Sequence, residues 1–234
     1  MKRDNLSQRL QTVADFVPSG VVLADIGSDH AYLPCYLMLQ GKLAKGVAGE
    51  VNDGPYHSAL KEVKEAGFEE SIAVRKGDGL AVIRENEVDV VTICGMGGQL
   101  ITSILEAGKD QLVGVSRLIL QPNVGGETIR KWLHREGWTL VAERIMKEDG
   151  KIYEVLVADF GQDGTLYEEN AAQKLLLGPY LMQEKNDAFR EKWTLEMEQW
   201  TRILQQMKDG RSAEIEERKQ VITKKIAAVQ EVLA

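Results

Sequence analysis

The sequence of 234 residues lacks an excess of basic charge, a set of paired cysteines and any long apolar run. Its 29 Lys and Arg residues are outnumbered by 36 Asp and Glu residues, so no overall basic charge points to a nucleic-acid partner. The two cysteines, Cys35 and Cys94, lie in apolar segments, which favours core thiols in a reducing compartment over disulfides or a metal site. No stretch is long and apolar enough to span a membrane, and residues 1–9 are too polar for a signal peptide. We therefore expect a soluble cytoplasmic protein.

What the sequence does contain is a polar turn between an apolar strand and a helix. Residues 21–24 are typical of a buried parallel strand, and residues 31–39 have helical periodicity. The residues between them are Asp25-Ile26-Gly27-Ser28-Asp29-His30. A strand that passes through a glycine into a helix presents free backbone N–H groups to a ligand. We favour ligand binding here over the alternative, a tight turn in which Asp29 only caps the helix.

This turn differs from the dinucleotide-binding fingerprint G-x-G-x-x-G. Gly27 is its single glycine, and Asp29 stands where the second glycine is expected. A carboxylate at that place repels a pyrophosphate but accepts hydrogen bonds from an ammonium group. The turn therefore favours S-adenosylmethionine (SAM) over a nicotinamide dinucleotide as the ligand.

Five β/α units followed by a β-hairpin account for residues 1–161, the first predicted domain. The predicted strands are 21–24, 46–50, 71–76, 88–94 and 115–120, with the hairpin strands at 138–146 and 151–160. Because parallel crossovers are right-handed, this order predicts an α/β fold, a doubly wound, Rossmann-like and mostly parallel sheet with an antiparallel edge hairpin.

The ends of the second and third predicted strands carry acids. Glu50 ends the second strand, where an acid typically accepts hydrogen bonds from ribose hydroxyls. Given the turn upstream, we favour this role over the alternative, an ordinary exposed glutamate. Asp78 and Gly79 follow the third strand and suit the exocyclic amine of an adenine, or form a simple turn.

The fourth and fifth strands end in unusual residues as well. Gly95-Met96-Gly97-Gly98 follows the fourth strand and indicates backbone held close to another group. Gln121-Pro122-Asn123 follows the fifth, and its two amides either bind a planar base edge or cap the next helix. Since the carboxyl ends of parallel strands share one edge, these segments together predict an enzyme or a cofactor-binding protein.

Residues 162–234 are predicted to form a second domain, a hairpin of two amphipathic helices separated at Asp209-Gly210-Arg211-Ser212. Apolar residues recur at near-heptad spacing in both helices, which predicts a small antiparallel coiled coil. Trp193 and Trp200 are then seam residues and not base-stacking groups. Because the two helices cover each other, we expect a monomer.

Any nucleic-acid surface on this acidic chain must be local. Three clusters of basic residues are candidates: Lys2, Arg3 and Arg9; Arg130, Lys131 and Arg135; and Arg218, Lys219, Lys224 and Lys225.

Four blocks of the sequence are distinctive when taken together: residues 7–10 with Val13 and Ala14, residues 23–34 with DIGSDHAYLP, ICGMGG at 93–98 and LQPN at 120–123. They resemble the TrmK family of bacterial SAM-dependent methyltransferases, which act on ring nitrogen 1 of the adenine at position 22 of tRNA. The resemblance covers essentially the whole chain. It implies a class I methyltransferase domain with a C-terminal coiled coil, tRNA as substrate, SAM as cofactor with S-adenosylhomocysteine as product, and no metal.

The resemblance also implies roles for individual residues. Asp25, Gly27 and Ser28 would shape the site for the methionine end of SAM, and Glu50 would bind the ribose. Asp78 and Gly79 would frame the adenine, while Gly95 and Met96 would border the transferred methyl group. The full set expected to bind the cofactor is Asp25, Gly27, Ser28, Asp29, His30, Leu33, Glu50, Val51, Asp78, Gly79, Cys94, Gly95, Met96 and Gly97.

Three residues are the catalytic candidates. Ring nitrogen 1 of adenine already has a lone pair, so the enzyme chiefly has to fix distance and angle. Asp29 could accept from the exocyclic amine and stabilise the cationic product ring, with His30 beside it or merely capping the helix. Asn123 could hold the edge of a flipped base.

Two further functions remain open on the residues alone. One is methyl transfer to another RNA or to a small molecule, and the other is a non-catalytic adaptor that keeps a SAM fold. A nicotinamide oxidoreductase is disfavoured by Asp29 and the missing glycines.

Overall fold

The computed structural model describes residues 4–161, 164–208 and 212–234, which form two compact units. The first unit contains residues 4–144 and 153–161, and the second contains residues 145–152, 164–208 and 212–234. The predicted domain boundary after residue 161, the predicted helix break at Asp209-Gly210-Arg211 and the basic candidates Lys2 and Arg3 lie at or within segments outside the described residues.

Within the described residues the chain forms a seven-stranded sheet. Its strands are β1 (Val21–Ile26), β2 (Leu43–Glu50), β3 (Ile72–Lys76), β4 (Val90–Gly97), β5 (Arg117–Val124), β6 (Trp138–Glu148) and β7 (Lys151–Phe160). Their order in space is β3-β2-β1-β4-β5-β7-β6, with β1 to β5 parallel and β7 antiparallel to β5. This confirms the predicted doubly wound sheet with an edge hairpin.

Five α-helices connect or precede these strands in the first unit. They are α1 (Gln8–Asp15), α2 (Tyr32–Leu39), α3 (Asp53–Ala66), α4 (Gly98–Ala107) and α5 (Gly126–Arg135). Strand β1 pairs with β2 on one side and with β4 on the other, so the strand order reverses at its carboxyl end. That reversal opens a crevice between the β1–α2 turn and the end of β4, where open α/β sheets bind ligands.

Strands β4 and β5 continue further than their apolar runs predict. The pairing between them extends past Cys94 opposite Gln121 to Gly97 opposite Val124, with register irregularities around Met96. Gly95-Met96-Gly97 and Gln121-Pro122-Asn123, both predicted to follow the strands, are therefore irregular strand ends, in which Gly95 has no pairing partner. Pairing to a neighbour has replaced the local turn tendency of glycine and proline.

The second unit consists of the hairpin tip and four helices. These helices are α6 (Ala171–Leu177), α7 (Leu181–Glu184), α8 (Asp187–Gln206) and α9 (Ala213–Leu233). Trp193 is only 3% exposed in the core of this unit, and Trp200 packs against it with ring centroids 6.2 Å apart, as expected of seam residues. Ser212 caps α9 by accepting a hydrogen bond from the Ile215 N–H. The helices α6 and α7 were not predicted, because they are short and carry little periodic signal.

None of the helices in the part of the chain that the structure describes is long and apolar enough to cross a membrane.

Candidate functional site

A cavity of about 320 Å³ lies at the carboxyl ends of β1 and β4. The predicted residues that line it are Asp25, Gly27, Ser28, Asp29, Leu33, Cys94, Gly95 and Met96, and the described wall is completed by Arg9, Leu10 and Tyr32. The folding of the chain therefore brings the β1–α2 turn and the end of β4, which lie about 70 positions apart in sequence, into one space.

Asp25 holds the β1–α2 turn from inside. Its side chain is buried, and its carboxylate accepts hydrogen bonds from the Ser28 hydroxyl at 2.5 Å and the Thr92 hydroxyl at 2.7 Å. Burial raises the pKa of the Asp25 carboxyl above its ordinary value, and the two hydrogen bonds oppose this shift. The geometry makes Asp25 a fixed acid that links the turn to β4.

The backbone of this turn is strained in a way that the neighbouring strand maintains. Gly27 has a φ of +70°, and a Cβ at this position would overlap the Cε of Met96. Asp29 and Ala31 also adopt the left-handed conformation, with φ of 57° and 55°. The Gly27 N–H donates to the Gly49 carbonyl at 2.9 Å, which ties the turn to β2. Strain held in place by several contacts is characteristic of functional sites.

Glu50, at the end of β2, completes the acidic side of the turn. It is 5% exposed and accepts a hydrogen bond from the Asp29 N–H through Oε1. Burial raises the pKa of the Glu50 carboxyl, the Asp29 N–H lowers it, and the Asp25 and Asp29 carboxylates raise it further. No other described protein group donates to this carboxylate, so Oε2 is left for a ligand.

Asp29 and His30 lie at the mouth of the cavity. Their side chains are 69% and 43% exposed, with His30 Nε2 3.7 Å from Asp29 Oδ1, and the His30 ring stacks on Tyr32 at 5.1 Å. Helix α2 begins after Ala31 without a side-chain cap. The alternative in which Asp29 or His30 caps this helix is therefore wrong.

The opposite wall of the cavity is a turn at Gly95 that is braced by amides. The Gly95 N–H donates to Gln121 Oε1 at 3.0 Å, and the Gly95 carbonyl accepts from Asn123 Nδ2 at 2.7 Å. Gln121 is completely buried, donates to the Pro122 carbonyl at 2.9 Å and accepts from the Arg9 guanidinium. The sequence suggested that Gln121 binds a base edge or caps a helix, and the buried side chain does neither. Asn123, by contrast, is exposed.

The remaining predicted cofactor residues, which include His30 and Glu50, do not line this cavity. Val51 is 53% exposed beyond Glu50, Asp78 is exposed, and Gly79 and Gly97 lie in the segments that follow β3 and end β4. The end of β3 is joined to Glu50 because the Gly77 N–H donates to the Glu50 carbonyl at 2.9 Å. Among the described residues no group of three His, Cys, Asp or Glu side chains is placed to hold a metal ion.

One of the predicted nucleic-acid candidates is wrong, and another lies at a place that the sequence did not suggest. Arg130 is wrong as a surface residue, because it is fully buried between Glu143 and Glu154. Arg9 lies in the cavity wall, and sequence reasoning missed this role because its neighbours Leu6, Leu10 and Val13 mark only an amphipathic helix.

Comparisons with known proteins show which family the chain belongs to. The sequence model of the TrmK family, described as tRNA (adenine(22)-N(1))-methyltransferase, matches residues 23–231. The chain is 49% identical over 234 residues to the tRNA (adenine(22)-N(1))-methyltransferase of Bacillus subtilis (strain 168), covering 100% of this chain and 97% of that protein.

Solved structures give the same result. The crystal structure of the B. subtilis tRNA methyltransferase TrmK superposes with a TM-score of 0.95 at 45% identity, covering 99% of this chain and 100% of that one. The structure of Streptococcus pneumoniae Sp1610 in complex with S-adenosyl-L-methionine superposes with a TM-score of 0.86 at 43% identity, covering 98% of this chain and 100% of that one.

Proposed function

The chain belongs to the TrmK family of tRNA (adenine(22)-N(1))-methyltransferases, and from this premise we infer that it transfers the methyl group of SAM to ring nitrogen 1 of the adenine at position 22 of tRNA. The observation that supports this function most directly is the cavity that the β1–α2 turn and the end of β4 form together. Neither a different substrate nor a non-catalytic adaptor has support from the relatives.

The residues of the cavity fit SAM by their chemistry. When bound, SAM supplies a methyl group on a positively charged sulfur, and it also carries an ammonium group and ribose hydroxyls. Asp25 and Asp29 in the cavity wall, with Glu50 bound to the Asp29 N–H, place acceptors and negative charge together, which suits these groups and would repel a pyrophosphate. Leu33 and Met96 provide apolar surface beside them.

Glu50 is the residue we assign to the ribose. Its Oε1 is held by the Asp29 N–H, so the carboxylate is fixed in orientation and Oε2 can accept from a hydroxyl. Asp25 and Ser28, joined by their hydrogen bond, shape the methionine end of the site. We assign Asp78 and Gly79 to the adenine of SAM.

Catalysis in this site consists mainly of positioning. Holding two reactants at the right distance and angle can supply roughly 7–11 kcal/mol of a reaction barrier. The bond from Asn123 Nδ2 to the Gly95 carbonyl fixes the plane of that amide, whose Oδ1 can then accept from the exocyclic amine of a flipped adenine. Asp29 at the cavity mouth offsets the positive charge that develops on the methylated ring.

We also propose that the protein acts as a monomer in the cytoplasm, where its tRNA substrate is found, and that it needs no metal. The basic cluster of Arg218, Lys219, Lys224 and Lys225 stays a prediction for tRNA contact. Salt-dependent tRNA binding by wild type and by variants of this cluster measures that contribution.

The experiment that tests the function is methyl transfer from labelled SAM to unmodified bacterial tRNA, with mapping of the modified nucleoside. We expect label in 1-methyladenosine, and its loss when position 22 of the tRNA is guanine. Label that persists in the guanine variant would contradict the assignment of the target base.

Asp29→Asn tests the assigned catalytic role, since it removes the charge but keeps the shape and the backbone N–H that binds Glu50. We expect kcat at saturating SAM to fall about 10- to 100-fold. SAM affinity measured by calorimetry should also fall, because Asp29 contributes negative charge beside the ammonium group. The exposed Asp15→Asn on α1 is the matched control and should leave both unchanged. Near-normal turnover by Asp29→Asn would remove Asp29 from the mechanism.

A further inference from the structure

Arg9 is a cation in the wall of a cavity whose other charged lining groups are carboxylates. Its guanidinium donates to Gln121 Oε1 and lies over the Tyr153 ring, 5.1 Å from the centroid. Neither partner is an anion. Within the described ranges no carboxylate lies within ion-pair distance of Arg9.

Other arginines of the first unit that are partly or fully buried are paired differently. Arg75 binds Glu87 at 2.6 Å, Arg117 binds Asp159 at 2.7 Å, and Arg130 binds Glu143 at 2.6 Å. Desolvating a guanidinium is costly, so a protein normally supplies a carboxylate where an arginine is partly buried. Arg9 contacts a neutral amide and an aromatic ring where the other arginines contact a carboxylate. The positive charge of its guanidinium is therefore available to an anionic ligand.

The position of Arg9 places its charge at one end of the cavity. Its Nη1 lies 3.5 Å from where a Cβ on Gly95 would be, so the guanidinium rests against the end of β4. Burial raises the pKa of the Cys94 thiol, the Asp25 carboxylate raises it further, and Arg9 lowers it. The thiol thus experiences a negative and a positive charge at once, which puts Asp25 and Arg9 close to the same small space.

The methionine end of SAM carries an ammonium and a carboxylate on one carbon atom. The acids of the β1–α2 turn suit the ammonium but repel the carboxylate, which needs a cation on the other side. We propose that Arg9 binds the methionine carboxylate of SAM, an assignment that rests on the proposed use of SAM by this site.

Both this carboxylate and a tRNA phosphate are oxyanions that an arginine binds well. The half-burial of Arg9 and its place in the cavity wall beside Gly95 favour the smaller group, since a backbone phosphate would have to enter the same cavity. Through Gln121 the bound carboxylate would also steady the Gly95 turn, which borders the methyl group.

The test uses two ligands that differ only in the carboxylate: SAM, and decarboxylated SAM, which lacks it. Calorimetry on the full chain gives the affinity of wild type, Arg9→Met and Arg9→Lys for each ligand. Arg144→Met is the matched control, because the guanidinium of Arg144 also lies over an aromatic ring, that of Phe16 at 5.7 Å, but does not line the cavity. Thermal melting checks that each variant is folded.

We expect wild type to bind SAM about 10- to 100-fold more tightly than decarboxylated SAM, as for loss of a charge-assisted hydrogen-bonded pair. Arg9→Met should lose most of this preference while keeping its affinity for decarboxylated SAM within about threefold. Arg9→Lys should keep part of the preference, and Arg144→Met should keep all of it.

Four results would overturn the proposal. Equal loss of affinity for both ligands would mean that Arg9 only braces Gln121. Unchanged affinity for SAM, with weaker tRNA binding and a salt dependence reduced by about one phosphate contact, would assign Arg9 to the tRNA backbone. A wild type that binds both ligands equally would refute this inference alone, whereas a wild type that binds neither would refute the use of SAM as well.

Discussion

Arg130 lies completely buried on α5 between two carboxylates, and its replacement by methionine removes the charge from that cluster. Its Nε lies 2.6 Å from Glu143 Oε1, and its Nη2 lies 2.8 Å from Glu154 Oε2. Desolvation acts to lower the pKa of Arg130, but the two carboxylates outweigh it and raise the pKa above its ordinary value. The three charges therefore form one interdependent unit.

The expected loss of stability follows from the two carboxylates that the substitution leaves in place. In Arg130→Met two buried carboxylates remain without their cation, and breaking a buried pair in this way costs about 3–5 kcal/mol. For domains of 150–250 residues each kcal/mol moves Tm by about 2–4 °C, so we expect Tm to fall by roughly 6–20 °C.

Thermal and urea unfolding followed by circular dichroism measure this change. Arg135→Met is the matched control on the same helix, because its side chain is 62% exposed and its ion pairs with Glu106 and Glu136 lie at the surface. Surface pairs of this kind contribute about 0–1 kcal/mol. An Arg130→Met protein that melts within about 2 °C of wild type would refute the reasoning.

Two more predictions concern the cofactor site. Gly27→Ala should weaken S-adenosylhomocysteine binding measured by calorimetry, because a Cβ there would displace the Cε of Met96, whose side chain lines the cavity. Gly20→Ala, with a similar φ of +79° but open space around it, should bind normally. Glu50→Gln should weaken binding about 10- to 100-fold through loss of a charged acceptor. Because burial raises the pKa of Glu50, the affinity of wild type for S-adenosylhomocysteine should fall on acidification at a pH above the ordinary glutamate value of 4.5. Glu50→Gln should lack this fall. If the variant has the same pH profile as wild type, Glu50 is not part of the site.

Local sequence patterns determined much of this protein. The apolar runs, the helical periodicities and the turn chemistry predict the parallel sheet with its edge hairpin and the two long C-terminal helices, because each depends on residues close together in the chain. The same holds for the polar turn from Asp25 to His30, whose departure from the dinucleotide fingerprint already favours SAM.

Contacts between distant segments were decided only by the tertiary structure. Arg9 and Gln121 are 112 positions apart, and nothing in an amphipathic helix indicates that one of its arginines reaches a buried amide beside the cavity. Arg130, an expected surface cation, is instead buried because β6 and β7 bring carboxylates against α5.

The lengthening of β4 and β5 has the same origin. Pro122 has the local character of a loop residue, yet it lies opposite Met96 in the irregular pairing of the two strands. Gly95 is skipped in this pairing and is held by the side chains of Gln121 and Asn123. A sequence specifies what each segment favours by itself, through dihedral angles and apolar spacing. The partner of each buried charge depends on how distant segments pack across the sheet. Because a buried charge without a partner is costly to desolvate, the fold favours the packing that gives each such charge a partner.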